Sequence, residues 1–167
     1  MSEEKGPAES SLDELYRRPG FLLRRAHQIS VALFLEETTA LGLTTTQYGT
    51  MVILRAQGSL DQVSIATLVG IDRSTTALVV SKLEEAGYIE RRDDSVDKRR
   101  KIITLSTAGH AMLDQVAAPA QRARKRALDA FSTKDAAKFL TLLEHFVDVF
   151  NEHTRAPIRT TPREKQP

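Results

Sequence analysis

The 167-residue chain contains no cysteine, which excludes disulfides, thiolate metal sites and thiol-based peroxide sensing. A long apolar run is also missing. The first segment is acidic, with Glu3, Glu4, Glu9, Asp13 and Glu14, unlike a signal peptide, and no stretch has the length and apolarity of a membrane span. A cytoplasmic protein without membrane contact is the expectation. Catalytic patterns are absent too. His27, His110, His145 and His153 are scattered without a His-Glu-x-x-His motif, and the last two are eight residues apart, about two helical turns. No Gly-rich phosphate loop or nucleophile elbow occurs, and the hydroxyl and carboxylate residues fall where caps and polar surface need them. No catalytic residue, metal or cofactor is expected, so the chain does not read as an enzyme. A net charge of +2, a pI near 9.0 and a hydrophobic fraction of 41% describe one mildly basic domain's worth of core.

What the chain does contain is concentrated between Val63 and Ser106. Val63, Ala66, Leu68 and Val69 form a short apolar stripe at helical spacing, and Gly70 stands where a helix end needs positive φ. Asp72 can then cap a second helix beginning at Arg73 and closed by Gly87. The spacing places Leu78, Val79, Leu83 and Ala86 on its inner face. Arg73, Ser74, Thr75, Thr76, Ser81 and Lys82 are left as outward positions, small and polar enough to reach phosphates and base edges in a major groove.

Tyr88–Arg92 and Lys101–Leu105 read as two strands around a projecting polar loop. Residues 91–101 carry six basic side chains against three acidic ones. Asp97 and Arg99 are two apart, so in extended chain the carboxylate can hold the guanidinium in a fixed pose. An arginine so held suits a narrow minor groove. Lys98 and Arg100 complete the basic tip, and the pattern as a whole is a winged helix-turn-helix.

The runs Gly70-Ile71-Asp72-Arg73-Ser74-Thr75-Thr76, Leu83-Glu84-Glu85-Ala86-Gly87-Tyr88-Ile89, Asp97-Lys98-Arg99-Arg100 and Leu105-Ser106-Thr107-Ala108-Gly109 resemble the MarR family of winged-helix transcription regulators. With Leu43-Thr44-Thr45-Thr46-Gln47-Tyr48 upstream, the likeness covers roughly residues 20–150. The resemblance implies a homodimer whose base is built from helices at both chain ends, and double-stranded DNA as partner. A two-fold protein sets its reading helices about 34 Å apart on a pseudo-palindromic operator. It also implies a repressor that a small anionic aromatic ligand releases. The Arg24-Arg25-Ala26-His27-Gln28 run and the Asp72–Thr76 helix start look most like members that control breakdown of aromatic acids or their thioesters. Arg24 and His27 are neighbours on one helix face, and with Tyr48 they are the candidate ligand residues. An equal reading makes the arginines surface charges and His27 an interface residue.

The expected fold is mainly α with a small β-wing, a winged helix-turn-helix joined to a helical dimerisation region. Residues 1–17 form an acidic irregular segment, 18–42 a first dimerisation helix, 43–105 the winged lobe, 106–153 the C-terminal dimerisation helices, and 154–167 a mobile basic tail. Thr44 and Gln47 form a capping box, Ser106 caps the next helix, Pro119 bends it, and Ser132 with Asp135 opens the last. Arg122–Arg126 is expected on a solvated helix face. The competing reading from another class is a helical module that docks a protein partner, its DNA binding vestigial.

Overall fold

A computed structural model describes residues 12–95 and 100–159. In chain order these form α1 (Leu12–Arg17), α2 (Pro19–Thr38), α3 (Thr45–Gln57), β1 (Ser59–Asp61), α4 (Gln62–Val69), α5 (Arg73–Glu85), β2 (Ile89–Asp93), β3 (Lys101–Leu105), α6 (Thr107–Leu128) and α7 (Thr133–Phe150), with single 3₁₀ turns after α2 and α7.

Local capping sets most of these boundaries. Thr44 and Gln47 exchange both bonds of a capping box at α3. Asp61, Asp72, Ser106 and Ser132 each accept an amide hydrogen bond at the starts of α4, α5, α6 and α7. Gly70 ends α4 with φ of 73°, a left-handed conformation that side chains other than glycine rarely adopt. α6 runs through Pro119 as one helix. α1 shortens the irregular acidic stretch expected for residues 1–17, because Asp13 and Glu14 lie in its first turn, Arg17 in its last, and Tyr16 packs 5.1 Å from Phe21.

The sheet is antiparallel in the order β1-β3-β2. β1 pairs Leu60 with Ile103, and β2 pairs Arg91 with the same residue from the other side. β1 is an addition to the sequence-based expectation: three residues are too few to show alternation. Beneath the sheet lies one core in which Met51, Leu54, Ile65, Val80, Leu83, Ile103, Leu113 and Val116 are essentially inaccessible. Helices α3 to α6 all contribute to it. The long α6 leaves this lobe and packs along α2. Arg122 meets Glu37 at 2.7 Å, and Arg126 meets Glu36 and Glu37 at 2.9 Å each, so these two members of the basic cluster clasp α2 while staying on the exposed face expected for them.

α7 differs from every other long helix in that none of its residues is buried. Phe139, Leu142, Leu143, Phe146, Val147, Val149 and Phe150 remain exposed, as do Leu22, Leu23 and Ile29 of α2. Beyond α7 the chain does not trail away as a free tail through residue 159. The Asn151 amide grips the Ile158 backbone on both sides, donating to its carbonyl at 3.0 Å and accepting from its N–H at 2.9 Å.

Candidate nucleic-acid interface

α4 and α5 meet at a bend of 109° across Gly70–Asp72, within the range of a helix-turn-helix. The start of α5 is organised by Asp72. One carboxylate oxygen accepts from the Thr75 amide at 2.9 Å and the other from the Thr75 hydroxyl at 2.7 Å, while the Ser74 hydroxyl also donates to the carboxylate. The Ser74 hydroxyl, followed by the Thr75 amide and hydroxyl, holds the Asp72 carboxyl far below the usual carboxylate range. The two hydroxyl protons are therefore engaged, and Ser74 and Thr75 present acceptor lone pairs outward. Such oxygens can receive the amino groups of cytosine or adenine in a major groove.

Arg73, Ser74, Thr75, Ala77, Leu78 and Lys82 are exposed or half-buried at the helix surface. Two expectations for this helix are corrected. Thr76 is fully buried and donates its hydroxyl to the Asp72 carbonyl at 2.8 Å, so it supports the turn and faces no ligand. Leu78, placed among core residues by spacing, is 61% exposed, while Val80 fills the core. The inner face is Thr76, Val79, Val80 and Leu83. A buried threonine that satisfies its hydroxyl on the preceding turn substitutes for an apolar residue, and that shifts the inner stripe away from Leu78. Ser81 donates to Glu85 at 3.1 Å, and Lys82 pairs with the same carboxylate at 2.8 Å. Lys82, then Ser81, lowers the Glu85 pKa.

The wing is the β2-β3 hairpin. Arg91 on β2 meets Glu84 on α5 at 2.9 Å, Lys101 pairs with Asp93 across the strands, and Asp94 donates its N–H to the Arg100 carbonyl at 3.0 Å. Arg100, expected at the tip as a DNA contact, is directed to the base of the wing, where it forms an ion pair with Asp61. Burial opposes ionisation of Asp61, but the Ser64 amide and the Arg100 guanidinium outweigh it and lower its pKa. Asp61 thus caps α4 and anchors the wing together. Asp97, Lys98 and Arg99 lie outside the described residues.

At the wing's exit, Ser106 donates its hydroxyl to the Gly87 carbonyl at 2.6 Å, its N–H bonds the Tyr88 carbonyl at 3.0 Å, and its Oγ accepts the Gly109 N–H at 3.0 Å. A Cβ on Gly109 would lie 2.1 Å from the Tyr88 carbonyl oxygen. The wing is therefore fixed to α6 by backbone contact.

The candidate ligand residues are not gathered at one place in the chain. Arg24 is exposed, donates to Gln28 and stacks over Phe21 at 4.9 Å, and His27 is exposed beside it. Tyr48 is half-buried with its ring 5.4 Å from that of Phe34. Phe34 is ten residues along α2 from Arg24, about 15 Å at helical rise. Among the described residues, no cluster of histidine and acidic side chains could hold a metal, and no single helix is long and apolar enough to cross a membrane.

A winged helix-turn-helix lobe carried on a long helical stalk defines a class of DNA-binding transcription regulators. Residues 43–101 match the model of the MarR family. The chain is 26% identical over 152 residues to the HTH-type transcriptional repressor NicR of Pseudomonas putida, covering 89% of this chain and 96% of that one. A probable transcriptional regulator from Pseudomonas aeruginosa superposes with a TM-score of 0.76 at 34% identity, over 79% of this chain and 98% of that one. BpsR of Bordetella bronchiseptica, whose DNA binding is regulated by 6-hydroxynicotinic acid, also gives 0.76, at 25% identity over 86% and 99%. This chain belongs to the MarR family and is a transcription regulator with a winged-helix fold.

Proposed function

We propose that the protein is a homodimeric, sequence-specific repressor that binds a pseudo-palindromic operator and leaves it when a small anionic aromatic compound, or its thioester, binds. The observation that carries the dimer is α7: an 18-residue helix with no buried residue and seven exposed large apolar side chains is stable in water only when another surface covers it. Exposed apolar positions on α1 and α2 extend the same need to the other chain end. Interfaces of this kind resemble a domain core cut in half.

On DNA, Arg73, Ser74, Thr75, Leu78 and Lys82 of α5 enter the major groove, with Leu78 meeting thymine methyls. Lys98 and Arg99 of the wing, Arg99 oriented by Asp97, reach the adjacent minor groove. The repressor reading is supported by the likeness to NicR, and the ligand class by the likeness to BpsR. Arg24 and His27, side by side on an α2 that a second subunit would partly cover, are the residues to hold a carboxylate. Tyr48, packed on Phe34, lines the lobe side of the same helix.

The deciding measurement is competitive: anisotropy of a labelled operator duplex with purified protein, titrated with 6-hydroxynicotinic acid and simple hydroxybenzoates. Release by one of these, at a concentration that Arg24→Ala raises at least about tenfold while leaving operator affinity unchanged, is the expected result. A protein that is monomeric at working concentration, or indifferent to inverted repeats, contradicts the proposal. A partner-docking module without DNA function would show a duplex affinity with no sequence preference.

A further inference from the structure

The C-terminal segment Arg155–Arg159 folds back onto the helix-turn-helix. The Arg159 N–H donates to the Thr67 carbonyl of α4 at 3.3 Å. Ile158 sits over Gly70, so closely that a Cβ there would fall 2.6 Å from its Cγ1. Asn151 fixes the Ile158 backbone from both sides, and Arg159 is steadied by Glu152 at 3.1 Å. These contacts place Arg155 and Arg159 in the wall of one open cleft of about 550 Å³ with Val63, Ser64, Thr67 and Arg73.

Three guanidiniums therefore border a single cleft at the first residue of the recognition helix. The one carboxylate among its described lining residues, Asp72, has its oxygens occupied by Ser74 and Thr75. With Asp72 ionised and Glu152 paired to Arg159, three guanidiniums face two carboxylates, which leaves a net positive charge beside the groove-reading surface. Phosphate oxygens are its natural complement, because arginine forks match them in geometry and charge. We propose that this docked strap is an accessory DNA-backbone clamp, in which Arg155 and Arg159 contact operator phosphates flanking those met by Arg73. The inference rests on the DNA-binding reading above and adds to it a contact made by neither the recognition helix nor the wing. Arg163 and Lys165 follow in the sequence and continue its basic character.

Backbone contacts are seen in the salt dependence, since each phosphate neutralised contributes about 0.9 to the slope of log K against log salt. The experiment compares full-length wild type, Arg155→Ala/Arg159→Ala, Ile158→Asp and the control Lys134→Ala on an operator duplex selected from random sequence, across a potassium chloride series. The double variant removes two arginines from each of two subunits, so it should shallow the slope by about 2 to 4 and weaken matched and mismatched operators by equal factors. Ile158→Asp keeps both charges and displaces the strap, so it should shallow the slope too, with a melting temperature near wild type. Lys134→Ala should match wild type. A wild-type slope in the double variant overturns the clamp while leaving the operator reading intact, and no duplex binding by wild type overturns both.

Discussion

Individual residues of this protein differ in what constrains them, and each case can be tested. Gly109 is excluded from bearing a side chain by the Tyr88 carbonyl, so Gly109→Ala should destabilise by about 1–3 kcal/mol in urea unfolding. Gly49, inside α3, has open space where a Cβ would stand, with no atom within 4 Å. It should respond oppositely, Gly49→Ala stabilising by about 0.5–1 kcal/mol. Leu78 is exposed, so Leu78→Asp should leave the unfolding free energy from urea titration within about 0.5 kcal/mol of wild type while removing operator binding. Asp72 is constrained by charge. Its folded pKa is depressed below the ordinary 3.8, so its contribution to stability is present above that value and is lost as pH falls toward the folded pKa. Asp72→Ala should therefore be less stable than wild type at neutral pH, and the two stability curves should converge below pH 3.8; parallel curves would refute the assignment.

Among the elements, those delimited by caps and glycines were legible from the chain, because Asp72, Ser106, Ser132, Thr44 and Gly70 act within three or four residues of themselves. Gly70–Thr76 and the hairpin strands carried the winged motif for the same reason. What sequence could not resolve depended on partners far along the chain, or on a hydroxyl turned inward. Thr76 reads as polar surface until its hydroxyl is seen bonded to the Asp72 carbonyl. Arg100 reads as a tip residue until Asp61, 39 residues earlier, is seen beneath it. Arg122 and Arg126 are exposed as expected, but their partners Glu36 and Glu37 lie more than 80 residues away and could not be read from the chain. Asp61 joins two elements, so Asp61→Ala should cost about 0.5–2 kcal/mol through the lost cap alone. It should also weaken operator binding through a loosened wing. Arg100→Ala should reproduce the second effect with less of the first, and a double-mutant cycle between them should show non-additivity.

Over the whole molecule, one lobe has a closed core and the other end does not. Leu142 and Phe146 belong to the uncovered side, so Leu142→Asp/Phe146→Asp should give monomers by sedimentation and lose operator affinity although α5 is unaltered. The proposed division, assembly on α7 and groove reading on α5, has a genetic consequence. A copy altered only at Leu78 keeps its association surface, so when co-expressed it is expected to pair with intact subunits and silence them, giving a dominant loss of regulation. The same lesion combined with Leu142→Asp/Phe146→Asp should be recessive.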